Sequence, residues 1–260
     1  MSEAENPAKP AAILILLRED DGRVEMFMAQ RAQTMAFAAG MMTFPGGKVE
    51  AADAMLAADL GIATGFAELE PNDAAARVAA IRETFEEAGV LVSDGPVVDA
   101  KTRAEWLPEI AADAGAFGEF LRTIGHRLDA AKLTPWSRWC PPANLEKRRY
   151  DTRFYLAAMP EAEHAVHDGN ESIESHWIGA GEALSLADAG KTAIIFPTRR
   201  NLERLAQCDR IDALIAHAAT HPSELVQPEI ELRDGKPWLC IPEGLGYPVT
   251  AEPIKRAMRG

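Results

Sequence analysis

Long apolar runs are scarce in this sequence of 260 residues. The longest aliphatic run covers residues 11–17, far short of the roughly 20 residues that a membrane-spanning helix needs. The first ten residues, MSEAENPAKP, are acidic and contain proline, unlike a signal or transit peptide. We therefore expect neither a membrane segment nor a membrane partner.

Cysteine is also rare. Cys140, Cys208 and Cys240 are scattered and form no C-x-x-C pair, so neither a disulfide scaffold nor a thiolate metal site is expected. We interpret the three residues as reduced thiols, which predicts a cytoplasmic protein.

Basic residues are outnumbered, since 27 Lys and Arg residues against 40 Asp and Glu residues give a net charge of −13. Such a chain does not attract a polyanion through its overall field, so we expect no nucleic-acid partner. A phosphate-bearing small molecule would need a local basic cluster or a bound cation. Apolar residues make up 47% of the chain, which is typical of a globular protein with its own core.

The order of apolar segments and turns predicts a mixed architecture. Residues 11–17 and 24–29 are predicted strands joined by the turn Asp20-Asp21-Gly22, and residues 73–88 are a predicted helix that Asp73 caps and Gly89 ends. The later elements are a helical insertion at 99–132, strands at 152–158 and 173–178, one long helix at 201–219, and a terminal hairpin formed by 229–232 and 238–241. Because strands and helices do not alternate strictly, we expect an α/β fold with a mixed β-sheet.

The segment R-E-T-F-E-E-A-G-V, residues 82–90, is the most informative part of the chain. On a helix, Glu83 and Glu87 lie four residues apart on one face, with Glu86 beside them. Arg82 can pair with Glu86 at i,i+4, which leaves Glu83 and Glu87 to bind a hard divalent ion such as Mg²⁺ or Mn²⁺. The alternative is a solvated acidic helix face.

Upstream of this segment stands F-P-G-G-K-V-E-A-A-D, residues 44–53, whose paired glycines allow close approach of the backbone to a ligand. Together the two segments resemble the Nudix box, G-x5-E-x7-R-E-U-x-E-E-x-G-U, where U is aliphatic. Gly47 matches the first glycine, Asp53 stands at the first glutamate, and Thr84 occupies an aliphatic position. Between Asp53 and Arg82 lie 28 residues where the pattern has seven, so 21 extra residues interrupt the box.

The resemblance implies a Nudix α/β/α sandwich with a mixed sheet, inserted helices and a C-terminal hairpin. We expect a Nudix domain at 8–207, with insertions at 54–73 and 99–132, and an extension at 208–260 packed on the same domain. It also implies a site for Mg²⁺ or Mn²⁺. The expected metal ligands are Gly47, Glu83, Glu86 and Glu87, and the expected catalytic residues are Arg82, Glu83, Glu86 and the loop residue Glu171.

The loop before the box, Q-R-A-Q-T-M-A-F-A-A-G-M-M-T-F-P-G-G, is similar to the signature of coenzyme A-cleaving Nudix enzymes. It resembles in particular the branch of CoA and acyl-CoA diphosphatases with an enlarged box, which implies substrate contacts by Arg31, Phe37 and Gly40. The second arginine of the signature is replaced by Ala36. Further along, the basic cluster of residues 147–153 contains Arg149 and Arg153. These arginines are expected either to bind substrate phosphates or to pair with Asp151.

The resemblance therefore implies hydrolysis of the diphosphate linkage of CoA or acyl-CoA, giving 3′,5′-ADP and (acyl-)4′-phosphopantetheine. The two insertions would line an apolar groove for the acyl chain. Because Ala36 removes a phosphate-binding charge, NADH, ADP-ribose and nucleotide sugars stay open as substrates. A non-catalytic Nudix binding module is a further alternative. The expected partner is a small nucleoside diphosphate derivative, and the chain is compatible with a homodimer.

Overall fold

The structure is a computed structural model that describes residues 6–31, 41–143, 148–160 and 172–257, with the side chains of residues 31 and 172–174 excepted. The strands are β1 (Lys9–Asp20), β2 (Arg23–Arg31), β3 (Met42–Thr43), β4 (Gly46–Lys48), β5 (Ala63–Thr64), β6 (Leu128–Asp129), β7 (Thr134–Trp139), β8 (Tyr150–Ala158), β9 (Ser172–Ile178), β10 (Leu225–Val226), β11 (Glu229–Arg233), β12 (Lys236–Cys240) and β13 (Ala251–Pro253). The helices are α1 (Ala51–Ala57), α2 (Pro71–Ala88), α3 (Ala100–Ala112), α4 (Ala116–Ile124), α5 (Ala180–Asp188), α6 (Phe196–Leu205), α7 (Ile211–Thr220) and α8 (Ile254–Ala257).

Within the described residues, eight strands form one mixed sheet. Its main order is β10-β7-β8-β1-β2-β3, with β4 paired to β1 and β9 paired to β2. Strand β1 runs parallel to β8 and antiparallel to β2 and β4. Asp21 and Gly22 join β1 to β2 with positive φ angles of 47° and 73°, the conformation that a two-residue type I′ hairpin turn requires. The predicted mixed sheet and hairpin are confirmed.

Helices cover both faces of this sheet. Since side chains alternate along a strand, Leu14 and Leu16 of β1 enter the apolar cluster that contains α1, α2 and α4. Ile15 and Leu17 enter the opposite cluster, which contains α5, α6 and α7. This arrangement is the α/β/α sandwich predicted from the sequence.

Helix α2, which carries the acidic segment, starts two residues earlier than predicted. Pro71 occupies its first turn, and the side chain of Glu70 accepts hydrogen bonds from the backbone N–H groups of Asn72 and Asp73. The prediction that Asp73 caps the helix was therefore wrong. Gly89 ends the helix at φ 67°, as predicted.

The predicted single helix at 201–219 is wrong, because the chain breaks between α6 and α7 at residues 206–210. The later strands are confirmed: β8 and β9 are the predicted strands, and β11 and β12 form the terminal hairpin, with Asp234 and Gly235 at positive φ in its turn. The insertion predicted to be helical at 99–132 contains α3 and α4, but its last part is the strand β6 and a short 3-10 turn. The domain limits at 8–207 and 208–260 stay predictions.

In the part of the chain that the structure describes, no helix combines the length and the apolar character needed to cross a bilayer. Among the described residues, Cys140, Cys208 and Cys240 form no disulfide bond with one another.

Candidate active site

Arg82 lies at the centre of the acidic cluster and is only 3% exposed. Its Nε and Nη2 donate to the two carboxylate oxygens of Asp53 at 2.9 and 3.0 Å. Nη2 also donates to the carbonyl oxygen of Lys48 at 3.0 Å, and Nη1 donates to Glu83 at 2.9 Å and to Glu86 at 2.7 Å. The predicted pair between Arg82 and Glu86 is confirmed, and all five N–H groups of the guanidinium are engaged.

Asp53 reaches Arg82 from a different helix. Its carboxylate is buried in α1 and also accepts the backbone N–H of Glu50 at 2.9 Å, which closes a capping box at the start of that helix. Because α1 packs against α2, the 28 residues between Asp53 and Arg82 do not separate the two side chains. This explains physically how an interrupted box keeps its ion pair. The sequence placed Asp53 in the pattern but assigned it no role in the site.

The glycine pair of β4 lies directly against α2. A methyl group on Gly47 would overlap the carboxyl group of Glu83, so this position must lack a side chain for Glu83 to lie where it does. The backbone N–H of Gly46 donates to Glu87 at 3.1 Å. The structure thus brings Gly47, Glu83 and Glu87 together, as the sequence predicted.

Burial dominates the electrostatics of this cluster. Desolvation raises the pKa of Glu83 to about 7; the neighbouring Arg82 charge opposes this shift and the Glu86 charge adds to it. Burial lowers the pKa of Arg82, but its hydrogen bond to the Asp53 carboxylate and the charges of Glu83 and Asp53 outweigh that effect, so its pKa lies above the ordinary value.

The expectation that Arg82 would leave Glu83 and Glu87 unengaged was wrong, because Glu83 accepts from Arg82 and Glu87 accepts from Gly46. Among the described residues, no three or more His, Cys, Asp or Glu side chains are arranged so that they could hold a metal ion by themselves. The donor set still fits a hard divalent cation, since carboxylate and carbonyl oxygens are the ligands such ions prefer. A cation would also favour the ionised form of Glu83, which burial disfavours.

Thr84 departs from the aliphatic residue of the Nudix box. Its side chain is fully buried, and its hydroxyl donates to the carbonyl oxygen of Ala80 at 2.7 Å. This bond within the helix satisfies the hydroxyl, so threonine can occupy an apolar position without leaving a buried donor unpaired.

Arg149 does not point to the acidic cluster. It is buried, and its guanidinium donates to the carbonyl oxygens of Pro141 at 2.7 Å and Asn6 at 2.6 Å. The alternative pairing with Asp151 is also wrong, because Asp151 accepts two hydrogen bonds from Arg138. Arg149 therefore holds neighbouring backbone segments together, and these hydrogen bonds give its predicted contact with substrate phosphate no support.

Arg153 has a more suitable place. In the sheet register, Ala12 pairs with Gly47 on one side and with Arg153 on the other, so the three positions share one face. The Arg153 side chain contacts Glu70 at 3.4 Å and Asp73 at 4.0 Å, at the start of α2. It lies roughly 10 Å from Gly47 across two strand spacings.

Several predicted site residues fall outside the description. Phe37, Gly40 and Glu171 lie outside the described residues, and Arg31 is described only by its backbone at the end of β2. Their proposed contacts stay predictions.

Comparison with known proteins places these features in a family. The family model described as the NUDT19 Nudix domain matches residues 62–205, which are 144 of the 260 residues. Acyl-coenzyme A diphosphatase NUDT19 of Gallus gallus is 30% identical over 208 residues, covering 62% of this chain and 55% of that protein. Putative nudix hydrolase 7 of Caenorhabditis elegans is 31% identical over 202 residues, covering 76% of this chain and 61% of that protein. The chain thus spans little more than half the length of these curated relatives.

A solved structure gives the same result. The crystal structure of a NUDIX hydrolase from Alicyclobacillus acidocaldarius matches with a TM-score of 0.71 at 25% identity, covering 81% of this chain and 96% of that one. Nudix hydrolases generally use divalent metals. Since the family model covers more than half of the chain and the solved hydrolase shares its fold, this chain belongs to the Nudix family.

Proposed function

We propose that the chain is a divalent-metal-dependent hydrolase that cleaves the diphosphate linkage of CoA or acyl-CoA to 3′,5′-ADP and (acyl-)4′-phosphopantetheine. The observation that carries this proposal is the close contact between Gly47 and the carboxyl group of Glu83. Glu83 lies on the same helix, α2, as Glu86 and Glu87. The substrate class is supported by the name of the relative from Gallus gallus, an acyl-coenzyme A diphosphatase.

In this proposal Gly47, Glu83, Glu86 and Glu87 would hold Mg²⁺ or Mn²⁺, Gly47 through its carbonyl oxygen and the glutamates through their carboxylates. When bound, the metal supplies neutralisation of the diphosphate charge and a lower pKa for a coordinated water. Arg82 holds Glu83 and Glu86 beside each other against their mutual repulsion, and Asp53 fixes the orientation of Arg82 by its two-point contact.

A carboxylate must take the proton of the attacking water. Glu83 is one proposed base, because its carboxyl lies directly against Gly47 at the proposed metal site. Glu86 and the loop residue Glu171 are the other proposed catalytic residues. For the substrate we propose contacts by Arg31, Phe37, Gly40 and Arg153.

The acyl-chain groove predicted for the two insertions has little support from their aromatic side chains. Phe117 and Phe120 of α4 are fully buried against α2 rather than lining an open groove. Equal turnover of free CoA and of long-chain acyl-CoA would remove the groove from the proposal. A clear preference for the long-chain ester would require another surface to hold the chain.

The decisive experiment identifies products. Purified protein is incubated with Mg²⁺ or Mn²⁺ and with CoA esters, NADH, ADP-ribose or nucleotide sugars, and the products are identified by mass spectrometry. We expect 3′,5′-ADP from CoA and its esters. Release of AMP from NADH or ADP-ribose, with CoA left intact, would replace our substrate by the alternative class. No hydrolysis of any compound would contradict the proposal of an enzyme and favour a binding module.

A single substitution separates an enzyme from a binding module. Glu87→Gln should lower the rate by several orders of magnitude while circular dichroism shows a folded protein. Glu105→Gln, on the exposed face of α3, is the matched control and should keep the wild-type rate. Equal rates for the two variants would argue against a role for Glu87.

The sequence-based expectations about the wider context stay proposals. We propose a small nucleoside diphosphate derivative as the partner, a cytoplasmic location and compatibility with a homodimer. Analytical ultracentrifugation at micromolar concentration measures the oligomeric state directly.

A further inference from the structure

The two insertions of this chain form one unit. Strand β5 of the first insertion pairs in parallel with β6 of the second, and the backbone N–H of Leu128 donates to the carbonyl oxygen of Ile62 at 2.8 Å. An ion pair of 2.6 Å between Asp59 and Arg122 links them again at the surface. We call α3, α4, β5 and β6 the insertion unit.

The insertion unit contacts α2 on both sides of the pair Glu86-Glu87. Immediately before the pair, Phe85 stacks on Phe120 of α4 with ring centroids 4.8 Å apart and an interplanar angle of 19°. Just after it, the carbonyl oxygen of Gly89 accepts a hydrogen bond of 2.8 Å from Nη1 of Arg103 in the first turn of α3. The last turn of the acidic helix is therefore held from both ends by the insertion unit.

The bond from Arg103 meets a specific need of that turn. The last carbonyl groups of a helix have no partner within the helix, and a cation near them interacts favourably with the helix dipole. Gly89, in the left-handed conformation, turns the chain at this point, and the aliphatic part of Arg103 lies over it, with Cδ 3.7 Å from the position that a Cβ would take. All the donors of Arg82 are engaged near the start of the acidic turn. A second arginine, Arg103, contacts the other end of that turn at Gly89.

We propose that Arg103 is a positioning residue for the proposed metal site: by holding Gly89, it fixes the last turn of α2 and with it Glu86 and Glu87. This inference rests on the proposed function and deepens it, since it makes the insertion unit part of the frame of the site.

The test compares three variants of the full chain. Arg103→Met keeps the aliphatic part over Gly89 and removes the donor, Arg103→Lys keeps a charged donor, and Arg122→Ala removes an exposed cation from the same unit. Mn²⁺ binding is measured without substrate, by electron paramagnetic resonance of the free ion. The values of kcat and KM for the substrate found in the product assay are measured at saturating Mg²⁺, and thermal unfolding is followed in metal-free buffer.

We expect Arg103→Met to weaken Mn²⁺ binding by about tenfold or more and to lower kcat by a similar factor with little change in KM, as for other residues that orient metal ligands. Arg103→Lys should recover most of both losses, and Arg122→Ala should match the wild type.

Mn²⁺ binding by Arg103→Met within twofold of the wild type would overturn the proposal, as would equal losses in Arg122→Ala. If Arg103→Met does not fold, Arg103→Gln takes its place, because it removes the charge and shortens the side chain that reaches the Gly89 carbonyl oxygen. Mn²⁺ binding by folded Arg103→Gln that is about tenfold weaker than in the wild type supports the proposal, and binding within twofold of the wild type overturns it. Mn²⁺ binding needs no substrate. A chain that binds the ion but hydrolyses nothing would therefore contradict the proposed function, while the comparison of Mn²⁺ binding among the variants would stay valid.

Discussion

Asp53 and Arg82 are 29 positions apart in the chain, yet two hydrogen bonds of 2.9 and 3.0 Å join the carboxylate to the guanidinium. The pair is almost fully buried, and it links α1 to α2. The contact depends on the packing of these helices and not on the length of the segment between them. Residues 58–70 can therefore form an excursion between the two helices without displacing the acidic cluster.

The buried pair should matter for stability. Asp53→Asn leaves the Arg82 charge buried with weakened compensation, so we expect the free energy of unfolding to fall by about 3 kcal/mol, measured by urea denaturation. Asp59→Asn is the matched control, because Asp59 pairs with Arg122 at the surface, where ion pairs contribute little. Equal losses of unfolding free energy in the two variants would show that the buried pair of Asp53 and Arg82 stabilises the protein no more than a surface pair does.

Gly47→Ala should damage the proposed site with the smallest possible change. The added methyl group would overlap the Glu83 carboxyl, so Glu83 must move, and we expect hydrolysis of the substrate to fall at least about tenfold. Gly181→Ala places the same methyl group in open space on α5 and should leave the rate unchanged and stability equal or higher. A Gly47→Ala enzyme with the wild-type rate would contradict the importance of this contact.

The raised pKa of Glu83 predicts an unusual pH dependence for the metal-free protein. Burial raises this pKa from 4.5 to about 7, so between these pH values the folded protein retains a proton that the unfolded chain has lost. Stability from this group therefore falls as pH rises through that window and stays low above it. Glu83→Gln removes the titration, and above pH 7 it should be more stable than the wild type, by up to about 3 kcal/mol.

Urea denaturation in EDTA from pH 5 to pH 8 tests this dependence. The difference between Glu83→Gln and the wild type should grow with pH and shrink again when Mg²⁺ is added. A difference that stays constant over the whole range would mean that Glu83 is ionised in the folded protein at every pH tested.

Two arginines of the basic cluster should behave differently. Arg149→Met removes buried hydrogen bonds to backbone carbonyls, so it should lower the free energy of unfolding by about 2 kcal/mol and leave KM unchanged. Arg153→Gln should raise KM by about tenfold, the loss of one charged contact to phosphate, with little effect on stability. Steady-state kinetics and urea denaturation measure both, and a raised KM in Arg149→Met would return that residue to the substrate site.

Features with local causes could be predicted from the sequence. The turn at Asp21 and Gly22, the end of α2 at Gly89 and the pair between Arg82 and Glu86 each depend on residues within a few positions. The sequence contained a signal for the true start of α2, because proline favours the first turn of a helix and Pro71 lies there. The start was nevertheless predicted two residues too late, because Asp73 was interpreted as the cap.

Features that depend on packing could not be predicted in the same way. The apolar pattern continues from α6 into α7, so periodicity alone does not show that the chain turns at residues 206–210. The engagement of Arg149 with Pro141 and Asn6, and the contact of Arg103 with Gly89, join segments whose proximity only the folded chain determines. Residue type predicted which acidic side chains lie beside the glycine pair, but it did not show which arginines contact their helix.

Strand β1 has a consequence for how the molecule forms. On one edge it pairs with β2 and β4, which lie within the first 48 residues, but its neighbour on the other edge, β8, begins only at Tyr150. During synthesis one edge of this very apolar strand stays unpaired until residues 150–158 have emerged, and contacts of such large sequence separation slow folding. Aggregation of the nascent chain through that open edge is the hazard to expect when the protein is produced quickly.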